Sequence, residues 1–179
     1  MTKEAYESAF PNVDDAAFSC FTYGVEVLTT RSDSSDTGCL VNTAGQIAAG
    51  YPRKVSVSLI KDNFTCHTLL RSRKFNLSVL TEHAPYPLFQ RFGFQSGWNT
   101  DKFRDDPYET RLQNGIRYLA DYTNAVLSCS VTDILDIETQ FLFLADVTEA
   151  HILSAVPSCS YAYYRAKIRP LILAAQSSA

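Results

Sequence analysis

From Lys54 to Ile60 the chain reads KVSVSLI, with Val55, Val57 and Leu59 on one side of a strict alternation and Ser56 and Ser58 on the other. Side chains alternate across a strand but not around a helix, so this heptapeptide gathers its apolar residues on one face only if it is extended. FNLSVL repeats the pattern with Phe75, Leu77 and Val79 in register. TYGVEVLTTR, GCLVNT, GIRYLAD, TNAVLSCSVTDILDI and QFLFLADVTEAHIL read as further strands. The turn-prone RSDSSDTG separates two of them, and Gly45, Gly50 and Pro52 predict a bend in AGQIAAGYP. Helical periodicity is brief. KDNFTCHTLLRS suits a short helix with Cys66, Leu69 and Leu70 inward and Asn63 or Thr65 at its start. Val13–Phe21, capped by Asp14 with Ala16, Ala17 and Cys20 inward, and Tyr86–Phe94 suit two more. There is no βαβαβ alternation and no GxGxxG, so the expected architecture is mainly β: a closed or partly closed barrel of antiparallel strands with a few short helices.

At 179 residues with 46% hydrophobic content, the chain has material for one core. We expect a single domain over residues 13–170, a flexible N-terminal segment at 1–12 and a C-terminal tail at 171–179. A net charge of −3 leaves no electrostatic footprint for nucleic acid. The N-terminus lacks the apolar core of a signal peptide, and no apolar run approaches the roughly 18 residues of a membrane span. The expectation is a soluble, cytoplasmic protein that binds neither nucleic acid nor membrane. Cys20, Cys39, Cys66, Cys129 and Cys159 are widely spaced with no CxxC pair, and His67, His83 and His151 do not complete a ligand set. The cysteines read as small buried hydrophobes, and no metal is expected.

Four polar clusters interrupt the strands. In NTAGQ, Asn42, Thr43 and Gln46 offer amide and hydroxyl groups that can donate and accept along a heteroaromatic edge; the same residues also end strands in ordinary turns. In KDNFT, Lys61, Asn63 and Thr65 gather an ammonium, a cap and a hydroxyl at a helix start, which suits an anion such as phosphate or simply a capped helix. FGFQSGWNTDKF sets Ser96, Gly97, Asp101 and Lys102 among Phe92, Phe94, Trp98 and Phe103, either to cover a flat ring or to staple a surface loop. The tyrosines of SYAYYR, read as a β-like stretch, suit barrel filling or an interface. Together the clusters describe a ligand with a flat heteroaromatic ring, a polar chain and a phosphate.

Read in order, YGVEVLTT, GCLVNTAGQ, KVSVSLI followed by KDNFT, FNLSVL, FGFQSGWNTDKF and YAYYR resemble the flavin reductase-like family. The similarity is strongest to its flavoredoxin-type members and to the flavin domain of high-molecular-weight rubredoxins. F-G-F-x-S-G followed by D-K-F is the most specific block. The resemblance implies an FMN-binding split β-barrel, Greek-key-like, with FMN as cofactor. It implies that Asn42, Thr43 and Gln46 lie along the isoalloxazine edge and that Lys61, Asn63 and Thr65 lie near the phosphate. Ser96, Gly97 and Lys102 would belong to the loop that closes on the cofactor. It further implies a homodimer passing electrons from NAD(P)H or a small redox protein through FMN to an acceptor such as flavin or an iron protein. No catalytic side chain is assigned. Ile60, Trp98 and Gln140 stand where the family pattern has Asn, Arg and His, so a non-catalytic FMN-binding or electron-storage protein, or a degenerate barrel serving as an interaction module, are the alternatives.

Overall fold

In the computed structural model, which describes residues 2–32, 35–104 and 110–171, seven antiparallel strands form: β1 (Glu26–Arg31), β2 (Asp36–Val41), β3 (Gly45–Ala48), β4 (Lys54–Ile60), β5 (Lys74–Leu80), β6 (Thr123–Ile137) and β7 (Gln140–Ile152). They lie in the order β2-β1-β5-β6-β7-β4-β3. In a flat sheet with strands about 4.8 Å apart, β2 and β3 would be about 29 Å from each other. Only residues 42–44 separate Val41 from Gly45, and that much chain reaches about 14 Å. The sheet is therefore rolled, and residues 42–44 are the seam that joins its two edges. Register shifts in β6 at Ser128/Cys129 and Val131/Asp133 mark bulges, which bend and twist a strand.

The alternation read from sequence fills the interior. Val55, Val57 and Leu59 of β4 meet Phe75 and Leu77 of β5, together with Leu28, Val41 and Phe143. Cys66 and Leu69 of α2 (Phe64–Ser72) complete the same cluster. Each such fully buried side chain stabilises the fold by roughly 1.5–3 kcal/mol. Helix α2 starts where the Asn63 side chain accepts from the Thr65 N–H at 2.8 Å, and it stops at Arg73, whose φ of 55° is left-handed.

A second core packs on the outer face of β1 and β5. There Val25, Val27 and Leu80 meet Phe89 and Phe92 of α3 (Tyr86–Phe94), Phe103, Tyr164 and Ile168. Four cysteines are buried as small hydrophobes, but Cys20 is exposed.

Three local expectations give way. GIRYLAD is not a strand: beyond one isolated bridge between Arg111 and Arg117, side chains claim its backbone groups. Thr29 donates to the Arg117 carbonyl at 2.6 Å, Asn76 to that of Ile116 at 2.9 Å, and Ser78 accepts from the Leu119 N–H at 3.1 Å. The segment thus lies across the polar face of β1 and β5. The N-terminal region does form helix α1 (Lys3–Ala9) and a 3-10 turn (Asp15–Cys20) capped by Asp14, but neither buries a residue, so Ala16, Ala17 and Cys20 face solvent. SYAYYR is helical rather than β-like: Ser160 caps Tyr161–Tyr163, which runs into a wide π-helical turn at Tyr164–Ile168. Residues 172–179 of the expected tail lie outside the described residues. Among those described, no helix is long and apolar enough to cross a membrane.

Candidate functional site

The site grows from the start of α2. The loop after α3 folds onto that helix end: the Trp98 indole N–H donates to the Asp62 carbonyl at 3.4 Å, and its ring meets Phe64 edge-on at 4.8 Å between centroids. Gly97 lies so close that a Cβ there would sit 2.6 Å from the Phe64 ring and 3.1 Å from the Thr37 hydroxyl. Only glycine lets the loop approach so far. Phe92 and Phe103 pack in the second core and meet at 5.5 Å, and Phe92 also borders a groove. Phe94 stays exposed.

Between loop, helix and β2 lies that groove, of about 240 Å³, whose lining includes Cys39, Asn63, Ser96, Gly97 and Lys102, with the acidic Asp62 at its border. It shares Cys39, Leu40 and Asn63 with a further hollow of about 160 Å³ that continues past Ser58, Ile60 and Gln140 to Asn42 and Thr43. Asn42 and Thr43 in turn border a wider cleft near Tyr161. The two hollows adjoin at Cys39, Leu40 and Asn63, and together they form a path from the Lys102 end to the barrel seam.

Lys102 is buried at the cationic end. Its ammonium donates to the Gly38 carbonyl at 2.8 Å and lies 3.4 Å from that of Phe92. Burial lowers its pKa, and the neighbouring Cys39 thiol opposes that shift. Among the described residues these contacts use two of the three ammonium donors. Burial pushes the Cys39 thiol up to about 11 and keeps it neutral in the groove floor. The first-turn N–H groups of α2 add partial positive charge at this end.

Six of the nine sequence-predicted residues line this path: Asn42, Thr43, Asn63, Ser96, Gly97 and Lys102. Thr43 also fastens the seam, donating to the Ser58 carbonyl at 2.9 Å. Three do not line it. Lys61 turns to the hairpin between β6 and β7 and pairs with Asp136 at 2.6 Å. Thr65 is buried 3.5 Å from the Thr37 hydroxyl. Gln46, on exposed β3, donates to its own neighbour's carbonyl at Ala48. The floor residues Cys39 and Leu40 escaped the sequence reading because buried strand residues look alike whether they face a core or a groove. Chemically, one end offers donors to an anion, and the other offers amide and hydroxyl groups to the edge of a ring.

The profile described as flavin reductase like domain matches residues 18–171. The high molecular weight rubredoxin of Moorella thermoacetica is 34% identical over 152 residues, which are 85% of this chain and 66% of that protein. The ferric-chelate reductase (NAD(P)H) of Archaeoglobus fulgidus is 29% identical over 152 residues, 85% of this chain and 89% of that one. Among solved structures, an NADH:FAD oxidoreductase of Streptomyces globisporus superimposes with a TM-score of 0.72 at 20% identity, covering 88% of this chain and 89% of its own. An FMN-binding protein of Thermus thermophilus does so with a TM-score of 0.70 at 18% identity, covering 80% and 78%. These neighbours carry the split β-barrel fold that the rolled sheet reproduces.

Proposed function

The chain belongs to the flavin reductase-like family, and from that premise we propose that it is an FMN-binding oxidoreductase whose cofactor lies along the groove from Lys102 to Asn42. One observation carries the reading: the donors at Asn63, Ser96, Gly97 and Lys102 and the amide and hydroxyl of Asn42 and Thr43 line two hollows that adjoin at Cys39, Leu40 and Asn63. The first set would hold the phosphate and the second would border the isoalloxazine edge. Thr65 would act through Asn63, whose orientation its N–H fixes. FMN supplies the redox chemistry when bound, and the chain supplies binding, orientation and a water-poor wall.

The donor is NAD(P)H or a small redox protein, and the acceptor a flavin or an iron protein; the relative named as a ferric-chelate reductase (NAD(P)H) supports that pairing. A homodimer in the cytoplasm completes the proposal. The test is a titration of flavin-stripped protein with FMN, FAD and riboflavin, followed by visible absorbance. Saturation by FMN at micromolar levels or tighter, in preference to the other two, is the expected result. Absence of saturation by any flavin would sink the reading.

Gln140 favours a second reading. It lines the path beside Ile60 and Asn42 and offers no imidazole, which suits a flavoprotein that stores electrons without taking a hydride directly. Anaerobic mixing of the FMN-loaded protein with NADH separates the two, because only the reductase bleaches.

A further inference from the structure

Helix α3 borders a hollow that the second core leaves open. Phe89 and Phe92 enter that core. Leu88 and Arg91, three residues apart and so on one face of the helix, border a cavity of about 250 Å³ that Pro85, Tyr118, Leu119 and Tyr122 also line. An apolar cavity of about 150 Å³ is enough to hold benzene, so this one has room for a ring with a short tail. Its charges are uneven: Arg91 and Lys102 stand against one carboxylate, that of the exposed Asp121. Arg91 is half-buried. Among the described residues no hydrogen bond, ion pair or ring contact engages it. A guanidinium drawn out of water without a partner costs free energy, and its fork of donors matches a carboxylate. The lining therefore favours an anion by charge and an apolar body by shape. Tyr122 adds a further mark. Its φ of 60° is left-handed, a conformation that bulky residues seldom adopt. Thr81 holds it there, its backbone N–H and hydroxyl both donating to the Tyr122 carbonyl, at 2.8 and 3.1 Å. Such strain gathers at ligand sites.

We propose that this cavity is an effector site for a small hydrophobic monocarboxylate, with its carboxylate on Arg91 and its apolar body against Leu88, Leu119 and Pro85. The ligand takes no part in electron transfer. It acts across α3, because Lys102 borders both this cavity and the groove. A carboxylate on one side of that lysine and a phosphate on the other repel each other. Occupancy therefore loosens FMN, and FMN loosens the effector by the same factor. That coupling rests on the function proposed above; binding of the carboxylate does not.

The experiment is a calorimetric titration of the flavin-stripped chain with hydrocinnamate, with hydrocinnamamide, which keeps the body without the charge, and with acetate, which keeps the charge without the body. Hydrocinnamate is expected to bind saturably, at least about tenfold tighter than either control. Arg91→Gln removes the preference for the carboxylate over the amide. Ala120→Trp, at an exposed position of the lining, fills the cavity and weakens both. Ligand-free melting temperatures of the two variants stay at the wild-type value. In the wild type, saturating hydrocinnamate weakens FMN about fivefold. No saturable binding of hydrocinnamate, equal binding of the amide, or binding that ignores both substitutions overturns the site. Loss of FMN from Arg91→Gln also overturns it, by placing Arg91 at the cofactor's phosphate. An FMN affinity indifferent to hydrocinnamate overturns the effector role. If the chain takes up no FMN, the function proposed above falls, while the flavin-stripped titration still decides the cavity.

Discussion

Glu26 turns its carboxyl back along β1 until Oε1 fills the space where a Cβ on Gly24 would begin. The missing side chain of Gly24 is what makes room for it. Glu26 is only 7% exposed, and among the described residues its Oε2 has no hydrogen-bond partner. Burial favours the protonated carboxyl, and desolvation raises this one to about 7.

The sign of the pH dependence follows. The unfolded chain loses this proton near 4.5, whereas the folded chain keeps it to about 7. Stability contributed by Glu26 is therefore complete below about pH 4.5 and is lost as pH rises to about 7, by at most about 3 kcal/mol. Glu26→Gln keeps the shape and removes the proton. Denaturant melts between about pH 5 and pH 8 should show a falling stability for the wild type and a flatter profile for the variant. Equal slopes would place the titrating group elsewhere.

Lys102→Met tests the cationic end. The thioether chain fills the buried stem, but the Gly38 and Phe92 carbonyls lose their ammonium. A stability loss of about 1–3 kcal/mol is expected from those carbonyls. FMN affinity should fall about tenfold while riboflavin affinity holds, since only FMN carries the phosphate. Equal losses for both flavins would reduce Lys102 to a brace for the loop.

Gly97→Ala forces the loop away from Phe64 and Thr37. Because the loop is outside both cores, the melting temperature should change little and FMN affinity should drop. Gly45→Ala is the control, since a Cβ there meets nothing within 4 Å. If both alanine variants bind FMN like the wild type, the close approach of Gly97 has no part in the site.

Lys61→Met should leave the FMN to riboflavin ratio unchanged, because its ammonium is held at Asp136 and over the Phe141 ring at 4.8 Å. The pair holds Asp136 below the usual carboxylate range, chiefly through the hydrogen bond from Lys61. Surface pairs of this kind contribute little and weaken with salt. A selective loss of FMN binding would return Lys61 to the phosphate end.

The contrast between the two lysines shows where sequence reading stops. Strand β4 and helix α2 were legible because their determinants are local: alternation within seven residues, and Asn63 two places before the N–H it caps. Lys61 and Lys102 look equally fit for a phosphate in one dimension. Their roles are decided by a hairpin 75 residues beyond the first and a β2 carbonyl 64 residues before the second. GIRYLAD misleads for the same reason, since Thr29, Asn76 and Ser78 take its backbone groups from across the chain. The cleft near Tyr161 needs both ends of the domain at once, with Phe18 and Phe21 from the start and Tyr161 and Arg165 from the end.

The seam at residues 42–44 has a mechanical consequence. It ties the two outermost strands, and Asn42 and Thr43 are also the wall where groove and cleft meet. Strand β3, only four residues long and largely exposed, is the part of the barrel with least to hold it shut. A molecule gripping Asn42 and Thr43 works as a clasp on that opening. The exchange of β3 amide protons with heavy water would then slow on occupancy, a clock that reads the ligand from the breathing of the barrel.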